Sequence, residues 1–152
     1  MAMTLTSLAF KSGGATPARH TCDGDNVSPS LTWSGAPAGT QGFAMVCADP
    51  DAPAGTWYHW AVYDIAPNTT ALAAAYAAGP GAEKQALNDF RRRRYDGPCP
   101  PHGHGKHHYH FALYALDTVA LGLKRDAHCR DVEAAARSRA LARAELVGLY
   151  GR

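Results

Sequence analysis

The sequence predicts one mainly β domain spanning residues 1–152, with mostly antiparallel strands, peripheral helices and a C-terminal helix. Three observations support this fold class. Short apolar or aromatic segments alternate with turn residues along most of the chain, whereas one long segment near the end is rich in helix-forming residues. Hydrophobic residues make up 46% of the chain and charged residues 18%, which is typical of a globular domain with a buried core.

Four segments are predicted to form strands. Residues 31–33 follow Pro29, and residues 42–48 form the compact apolar run expected of a buried strand. Residues 57–65 combine aromatic and β-branched side chains, and residues 109–116 form a further strand. Turn signals separate these segments, at positions 22–25, 35–39, 49–53 and 79–81.

Two segments are predicted to be helical. Residues 131–149 are rich in Ala, Leu, Arg and Glu, which favour a long helix. Asp131 suits its N-cap or first turn, and Glu133 and Arg137 have the spacing of an i,i+4 pair. The arginines of this segment are interpreted as a solvated face. Residues 71–78 predict a second, short helix.

Charge, hydropathy and cysteine spacing narrow the class of protein. The formal net charge of +2 does not indicate a nucleic-acid partner. No stretch is long enough to span a membrane, and the first residues lack the features of a signal peptide, so a cytoplasmic location is expected. The cysteines at positions 22, 47, 99 and 129 contain no CxxC motif and are expected to be thiols, with Cys47 in the core.

Three distant segments carry polar side chains suited to a binding site. Asp49 and Asp51 form a proline-braced acidic corner after a predicted buried strand, and His59 lies within the aromatic strand. Residues 97–107 form a loop in which prolines and glycines shape a histidine-rich run. Each segment also has an ordinary explanation: a turn with solvated acids, a hydrogen-bonded core histidine, or a structured loop.

The order of these motifs carries more information than any one of them. The chain contains DPDAP, then a Trp-x-His-Trp strand, then Gly-Pro-Cys-Pro-Pro followed by a glycine-rich loop and His-x-Tyr. This combination resembles the phosphatidylethanolamine-binding protein (PEBP) family, also called the Raf kinase inhibitor-like family, and in particular its small bacterial and archaeal branch. The resemblance covers nearly the whole chain.

The resemblance implies a Greek-key-like antiparallel β-sandwich with a small anion-binding pocket at one end. The implied ligand is a phosphorylated small molecule, a phospholipid head group or a phosphorylated side chain. Imidazoles, a phenol and backbone N–H groups supply the donors that a phosphate needs. The resemblance also implies a sharp turn at residues 49–53, where we expect a cis bond, most readily Ala52–Pro53. The implied ligand-binding residues are Asp49, Asp51, His59, Pro100, Pro101, His107 and Tyr109.

The sequence departs from the usual pattern of the family at two places. Four consecutive arginines at positions 91–94 form either a solvated basic loop or a surface that attracts phosphates or an acidic partner. The loop also holds more histidines than the pattern requires. Strand alternation places His108 and His110 on the opposite face from Tyr109.

Two alternatives to a binding module stay open. A metal-binding protein or metal-dependent hydrolase would use the cluster from His102 to His110 with Asp49 or Asp51. A nucleophilic hydrolase would have to use Cys99, because no serine lies in the three segments. The sequence contains neither HExxH nor GxSxG, so we expect no enzyme and no cofactor. A protein partner such as a kinase and a homodimer are left open.

Overall fold

The computed structural model describes residues 2–77, 81 and 83–152. In these residues the chain folds into two β-sheets and one α-helix. A 3-10 helix, Ala18–His20, lies between the second and third strands, and the α-helix α1 is Cys129–Arg139. The strands are β1 Thr4–Thr6, β2 Gly14–Ala15, β3 Leu31–Ser34, β4 Gly42–Asp49, β5 Trp57–Ile65, β6 Ala71–Leu72, β7 Lys84–Gln85, β8 His107–Leu116 and β9 Ala140–Tyr150.

The larger sheet has the strand order β2-β9-β8-β4-β5-β7, and the smaller one has the order β1-β3-β6. Between the named strands of the described residues, every pairing is antiparallel except the short edge pair β2–β9. The long strands β4 and β8 lie at the centre of the larger sheet, so their ends are held rigidly by neighbours on both sides.

Apolar side chains fill both faces of the larger sheet. One cluster lies between the two sheets, where the rings of Trp33 and Phe43 approach to 5.5 Å. A second cluster includes Val132 and Ala136 of α1 packed on the opposite face. All eight residues of β4 are buried, which explains why its sequence is apolar without alternation from Gly42 to Ala48, before Asp49 ends the strand.

The predicted mainly β sandwich is confirmed, and so are the four predicted strands. Residues 42–48 and 57–65 lie in β4 and β5, and residues 31–33 lie in β3. Strand β8 begins two residues earlier than predicted, at His107. Among the described residues, no helix has the length and hydropathy that a membrane span requires.

The predicted helix over residues 131–149 is wrong in its second half. Helix α1 ends at Arg139, and the chain continues as β9, which pairs with β8 along its length. Ala144, Leu146 and Gly148 alternate with more exposed positions, so β9 turns one face towards the core. Ala, Leu, Arg and Glu favour a helix locally, but edge-to-edge pairing with β8 outweighs that preference.

The predicted short helix over residues 71–78 is also wrong for its described part. Ala71–Leu72 is strand β6, paired with β3, and Leu72 is buried there. Ala75 adopts a left-handed φ of 56°, and its N–H donates to the carbonyl of Ser28 instead of to a helical turn. Ala78 and part of the predicted turn at 79–81 lie outside the described residues.

Two further expectations are corrected. Cys22 and Cys99 form a disulfide with a Cα–Cα distance of 5.4 Å, whereas Cys47 and Cys129 are buried free thiols. The described residues contain no cis peptide bond, so the expected cis bond at residues 49–53 is wrong. The Asp49 side chain accepts from the N–H of Asp51, and Gly55, with a φ of 108°, completes the turn with trans bonds.

Candidate functional site

The ends of three neighbouring strands and one loop enclose a small pocket. Asp49 ends β4, His59 lies near the start of β5, and His107 and Tyr109 begin β8. Because β4 lies between β5 and β8 in the sheet, these side chains come together at the same end of the three strands. The cavity measures about 160 Å³, and six of the seven predicted residues line it: Asp49, His59, Pro100, Pro101, His107 and Tyr109.

His59 has a fixed orientation in this pocket. Its Nδ1 lies 2.6 Å from the backbone oxygen of Asp96, and because a carbonyl only accepts, Nδ1 is the donor. Nε2 is therefore the ring nitrogen left to meet a ligand. Burial lowers the pKa of His59 below its ordinary value, although the Asp96 carbonyl and the charge of Asp49 act in the opposite direction.

Asp96 is itself held by part of the arginine run. Arg92 donates to both carboxylate oxygens of Asp96, at 3.0 and 2.8 Å, and Asn88 donates to one of them at 2.8 Å. Burial would raise the pKa of Asp96, but these bonds outweigh it and the pKa is lowered. The Arg92 side chain therefore acts through Asp96 on the orientation of His59.

His107 is fixed at both ring nitrogens. Its Nδ1 lies 2.6 Å from Oδ2 of Asp49, and its Nε2 lies 2.6 Å from Nδ1 of His104. His107 and Asp49 are both buried, whereas His104 is an exposed loop residue. A ligand that approaches His107 Nε2 would therefore exchange with an exposed imidazole rather than with a buried group.

Tyr109 forms the floor between the two histidines. Its ring meets that of His59 edge-on, with centroids 5.2 Å apart, and stacks near that of His107 at 6.3 Å. Burial, reinforced by the negative charge of Asp49, raises the pKa of Tyr109, so its hydroxyl keeps the proton and remains a donor.

Apolar and aromatic groups complete the walls. Trp57 and Phe90 meet edge-on with centroids 5.4 Å apart, and Phe90 also contacts the ring of His59. Trp57 Nε1 is buried and has no hydrogen-bond partner within the described part of the chain. Trp57 therefore contributes its ring rather than its N–H to the pocket wall.

Pro100 and Pro101 form one side of the pocket, the proline wall, which is tied to two other parts of the chain. Cys99, next to Pro100, lines the pocket and is disulfide-bonded to Cys22. Arg152 Nε donates to the Pro100 carbonyl at 2.8 Å. The wall therefore depends on contacts that are far apart in sequence.

Asp51, the seventh predicted residue, does not line the pocket. Its Oδ2 accepts from the backbone N–H of His108 at 2.8 Å and lies 2.7 Å from His108 Nδ1. The side chains of Asp51 and His108 are 41% and 53% exposed, compared with 4% and 3% for Asp49 and His107. The bond to His108 lowers the pKa of Asp51. Asp51 therefore belongs to a hydrogen-bonded pair outside the pocket.

The extra histidines lie where alternation predicted. His108 is exposed and His110 is half-buried beside Glu145, on the face opposite Tyr109. Among the residues that the structure describes, no three His, Cys, Asp or Glu side chains are grouped so that they could hold a metal ion. Cys99, the nucleophile considered for a hydrolase, has its sulfur in a disulfide.

A larger groove of about 210 Å³ lies on the opposite side of the sheet, between the strands and α1. Several polar and charged side chains in this groove are already hydrogen-bonded to each other. Tyr58 donates to Glu133 at 2.7 Å, and Arg143 donates to Glu145 at 2.6 Å. The smaller pocket is the better candidate site because its lining keeps Nε2 of His59 for a ligand, and Nε2 of His107 is bonded only to the exposed His104.

Several residues that line the pocket or hold its lining in place were not predicted from the sequence. In the sequence, Trp57 and Phe90 look like ordinary aromatic core residues. Asp96 looks like an acidic turn residue before Gly97. The role of His104 was hidden among five closely spaced histidines. Arg152 is 52 residues from the carbonyl that it contacts, and no local pattern relates the two.

Comparison with known proteins agrees with this architecture. The family model for phosphatidylethanolamine-binding protein matches residues 6–151. A UPF0098 protein of Aquifex aeolicus is 44% identical over 152 residues, covering 99% of this chain and 89% of that protein. The putative lipoprotein LppC of Mycobacterium tuberculosis is 40% identical over 148 residues, covering 97% and 72%. The crystal structure of Escherichia coli YbcL, described as a new member of the mammalian PEBP family, has a TM-score of 0.95 and 34% identity and covers 100% and 99%.

Proposed function

The chain belongs to the phosphatidylethanolamine-binding protein family, and we propose that it binds a phosphate-bearing ligand in the pocket between His59 and His107. One observation carries the proposal. Two buried imidazoles, each anchored through Nδ1 to an oxygen, and a phenol that keeps its proton all border the same small cavity. Anchored side chains lose little conformational freedom on binding, which favours affinity.

The size of the pocket limits the part of the ligand that enters it. Sites that enclose a whole drug-sized molecule measure roughly 300–1,000 Å³, whereas this cavity measures about 160 Å³. A phosphate group fits such a space, and the rest of the ligand stays outside. A phospholipid head group, a phosphorylated small molecule and a phosphorylated side chain share this chemistry.

Binding fits the pocket better than catalysis does. Serine and threonine are absent from its described lining, and the one sulfur there is in a disulfide. Asp49 is used to orient His107, and Asp96 presents a backbone carbonyl rather than its carboxylate to His59. We therefore propose a ligand-binding protein without a covalent step.

The cytoplasmic location expected from the sequence remains untested, and two observations favour an oxidising compartment over it. The Cys22–Cys99 disulfide is of the kind that persists outside reducing compartments. The mycobacterial relative is named a putative lipoprotein. Cell fractionation combined with thiol alkylation of the untagged protein tests this point, because protein found reduced in the cytoplasmic fraction would favour the original expectation.

Titration calorimetry tests the proposed function. Sulfate is the first probe because it stays a dianion across the histidine range, and its affinity is expected to weaken as pH rises, since imidazolium is the better donor to an anion. Inorganic phosphate, phosphoethanolamine and a phosphoserine peptide then distinguish the sources of the phosphate group. Absence of binding to all four, or sulfate affinity that increases with pH, contradicts the proposal.

A further inference from the structure

We propose that the Cys22–Cys99 disulfide controls the anion affinity of the pocket, so that reduction by a dithiol weakens binding. The inference rests on the proposed anion binding and adds its regulation. Cys99 is exposed and lines the pocket, whereas Cys22 is half-buried. Exposed disulfides are the ones most open to exchange. The two remaining cysteines, Cys47 and Cys129, are fully buried and have raised pKa values, because burial disfavours the thiolate.

The hydrogen bonds that directly join the two disulfide-linked segments, among the described residues, lie before Cys99. Beyond Cys99 the link is indirect, because Arg152 bonds both Asp23 and the Pro100 carbonyl. The Tyr95 hydroxyl donates to the His20 carbonyl at 2.6 Å, and the Gly97 N–H donates to Asn26 Oδ1 at 2.8 Å. The Cys22 N–H donates to the Pro98 carbonyl at 3.1 Å. These bonds survive reduction, so residues 95–98 remain anchored.

The prolines after Cys99 have fewer anchors. Proline has no N–H to donate, so Pro100 and Pro101 can be held through their carbonyls and by neighbouring residues. The Pro100 carbonyl accepts from Arg152, and the Pro101 carbonyl accepts from the N–H of His104 at 3.2 Å. His104 is an exposed loop residue whose Nδ1 lies 2.6 Å from Nε2 of His107, the contact that an incoming ligand would displace. The Gly103 N–H also donates to the Arg152 carbonyl at 2.9 Å. Loss of the disulfide therefore removes the covalent anchor of the proline wall and loosens it, while His59, His107 and Tyr109 stay in their strands.

Reduction follows ordinary thiol–disulfide exchange. A dithiol thiolate attacks the sulfur of Cys99, the more exposed of the two residues, a mixed disulfide forms, and the Cys22 thiolate leaves and takes up a proton. The second thiol of the reagent then displaces Cys99, which also becomes a thiol. Two electrons pass to the protein, and the reagent ends as its cyclic disulfide.

The oxidised form binds the anion more tightly because its wall is already in place. In the reduced form the wall must be ordered when the anion enters, and that ordering subtracts from the affinity. We expect reduction to weaken sulfate binding about tenfold. By reciprocity, saturating sulfate stabilises the disulfide and makes its reduction potential more negative by about 30 mV, the shift that corresponds to tenfold for a two-electron couple.

The experiment compares sulfate binding by oxidised wild type, dithiol-treated wild type and Cys22→Ser/Cys99→Ser, with near-ultraviolet circular dichroism to confirm that each is folded. The reduced protein and the double variant should both bind about tenfold more weakly, and the dithiol should not affect the variant. Equal affinity of folded oxidised and reduced protein overturns the inference and leaves the proposed function standing. Absence of binding in every form overturns both.

A redox titration supplies an independent readout. The disulfide is equilibrated with mixtures of reduced and oxidised dithiothreitol, with and without saturating sulfate, and the thiol fraction is measured by alkylation and mass spectrometry. A potential that becomes more negative with sulfate supports the coupling. An unchanged potential in protein that binds sulfate refutes it.

Discussion

His107 and His108 are adjacent in the chain but face opposite sides of β8. His107 is buried in the pocket beside Asp49, and His108 is exposed and pairs with Asp51. The two residues therefore separate a role in the pocket from the general effect of losing a histidine. Asparagine is the informative replacement, because its amide nitrogen occupies the place of Nδ1 and can still donate to a carboxylate.

For His107→Asn we expect sulfate affinity to fall roughly tenfold to a hundredfold at pH 6, because the variant lacks the Nε2 side of the ring. A hydrogen bond to a charged group contributes about 1.5–3 kcal/mol, which corresponds to that range. His108→Asn is the matched control and should change affinity less than about twofold by calorimetry. Equal losses in the two variants would remove His107 from the site.

The lowered pKa of His59 predicts how the free energy of unfolding depends on pH. Burial lowers its pKa in the folded protein below the ordinary value of 6.5, so the unfolded chain binds this proton more readily. Stability is therefore complete above about pH 6.5 and decreases as pH falls below that value towards the folded-state pKa. Urea denaturation at pH 7.5, 6.5 and 5.5 without sulfate or phosphate measures the effect.

The control for this prediction is His59→Asn, which keeps a donor near the Asp96 carbonyl but cannot titrate. Its free energy of unfolding should decrease less steeply than that of wild type between pH 6.5 and 5.5. The free energy of unfolding of His108→Asn should depend on pH as that of wild type does, because His59 is still present. A His59→Asn curve parallel to wild type would show that another group causes the acid sensitivity.

At the scale of single elements, the central strands could be predicted and the C-terminal boundary could not. Strand β4 is buried on both faces, so its sequence is apolar from Gly42 to Ala48 and easily recognised. Strand β9 is built from good helix formers, and its pairing with β8 is a tertiary contact that local propensity does not contain. The alternation of Ala144, Leu146 and Gly148 was the available signal, but these residues are too small or too few to dominate the pattern.

The start of α1 was predicted more closely than its end. Asp131 is the third helical residue, and its carboxylate accepts from the backbone N–H of His128 at 2.9 Å. His128 is the N-cap, and its ring nitrogen accepts from the Arg130 N–H at 3.1 Å. The two side chains form a capping box in which histidine replaces the usual serine or threonine.

For Asp131→Ala we expect a loss of about 1 kcal/mol in the free energy of unfolding, because the first turn loses one side of the capping box and a favourable charge. Urea denaturation measures the loss, and the dependence on urea concentration should not change. Asp126→Ala, an exposed acid upstream of the helix, is the control and should change stability by less than about 0.5 kcal/mol. Equal effects of the two changes would argue against the capping box.

For the whole molecule, the sequence identified most of the pocket because the order of its motifs resembles a family, not because any local pattern requires convergence. Asp51 was included by the same reasoning, but the turn directs its carboxylate to His108. The disulfide was missed because four cysteines can be free or paired in several ways, and spacing alone does not decide between these states. Bringing Cys22 to Cys99 depends on the packing of two loops that are 77 residues apart.

That separation gives the disulfide an effect on the stability of the whole domain. A crosslink over 77 residues restricts the unfolded chain much more than the folded one, whose loops are also held by Tyr95 and Gly97. Cys22→Ser/Cys99→Ser should therefore fold, with a free energy of unfolding about 2–4 kcal/mol below that of the oxidised protein. It should also depend more steeply on urea, because its unfolded chain is more expanded. Wild type in a dithiol should match the variant, since Cys47 and Cys129 are buried and free in both. If the variant is as stable as the oxidised protein, the crosslink does not restrict the unfolded chain, and its contribution is limited to the proline wall.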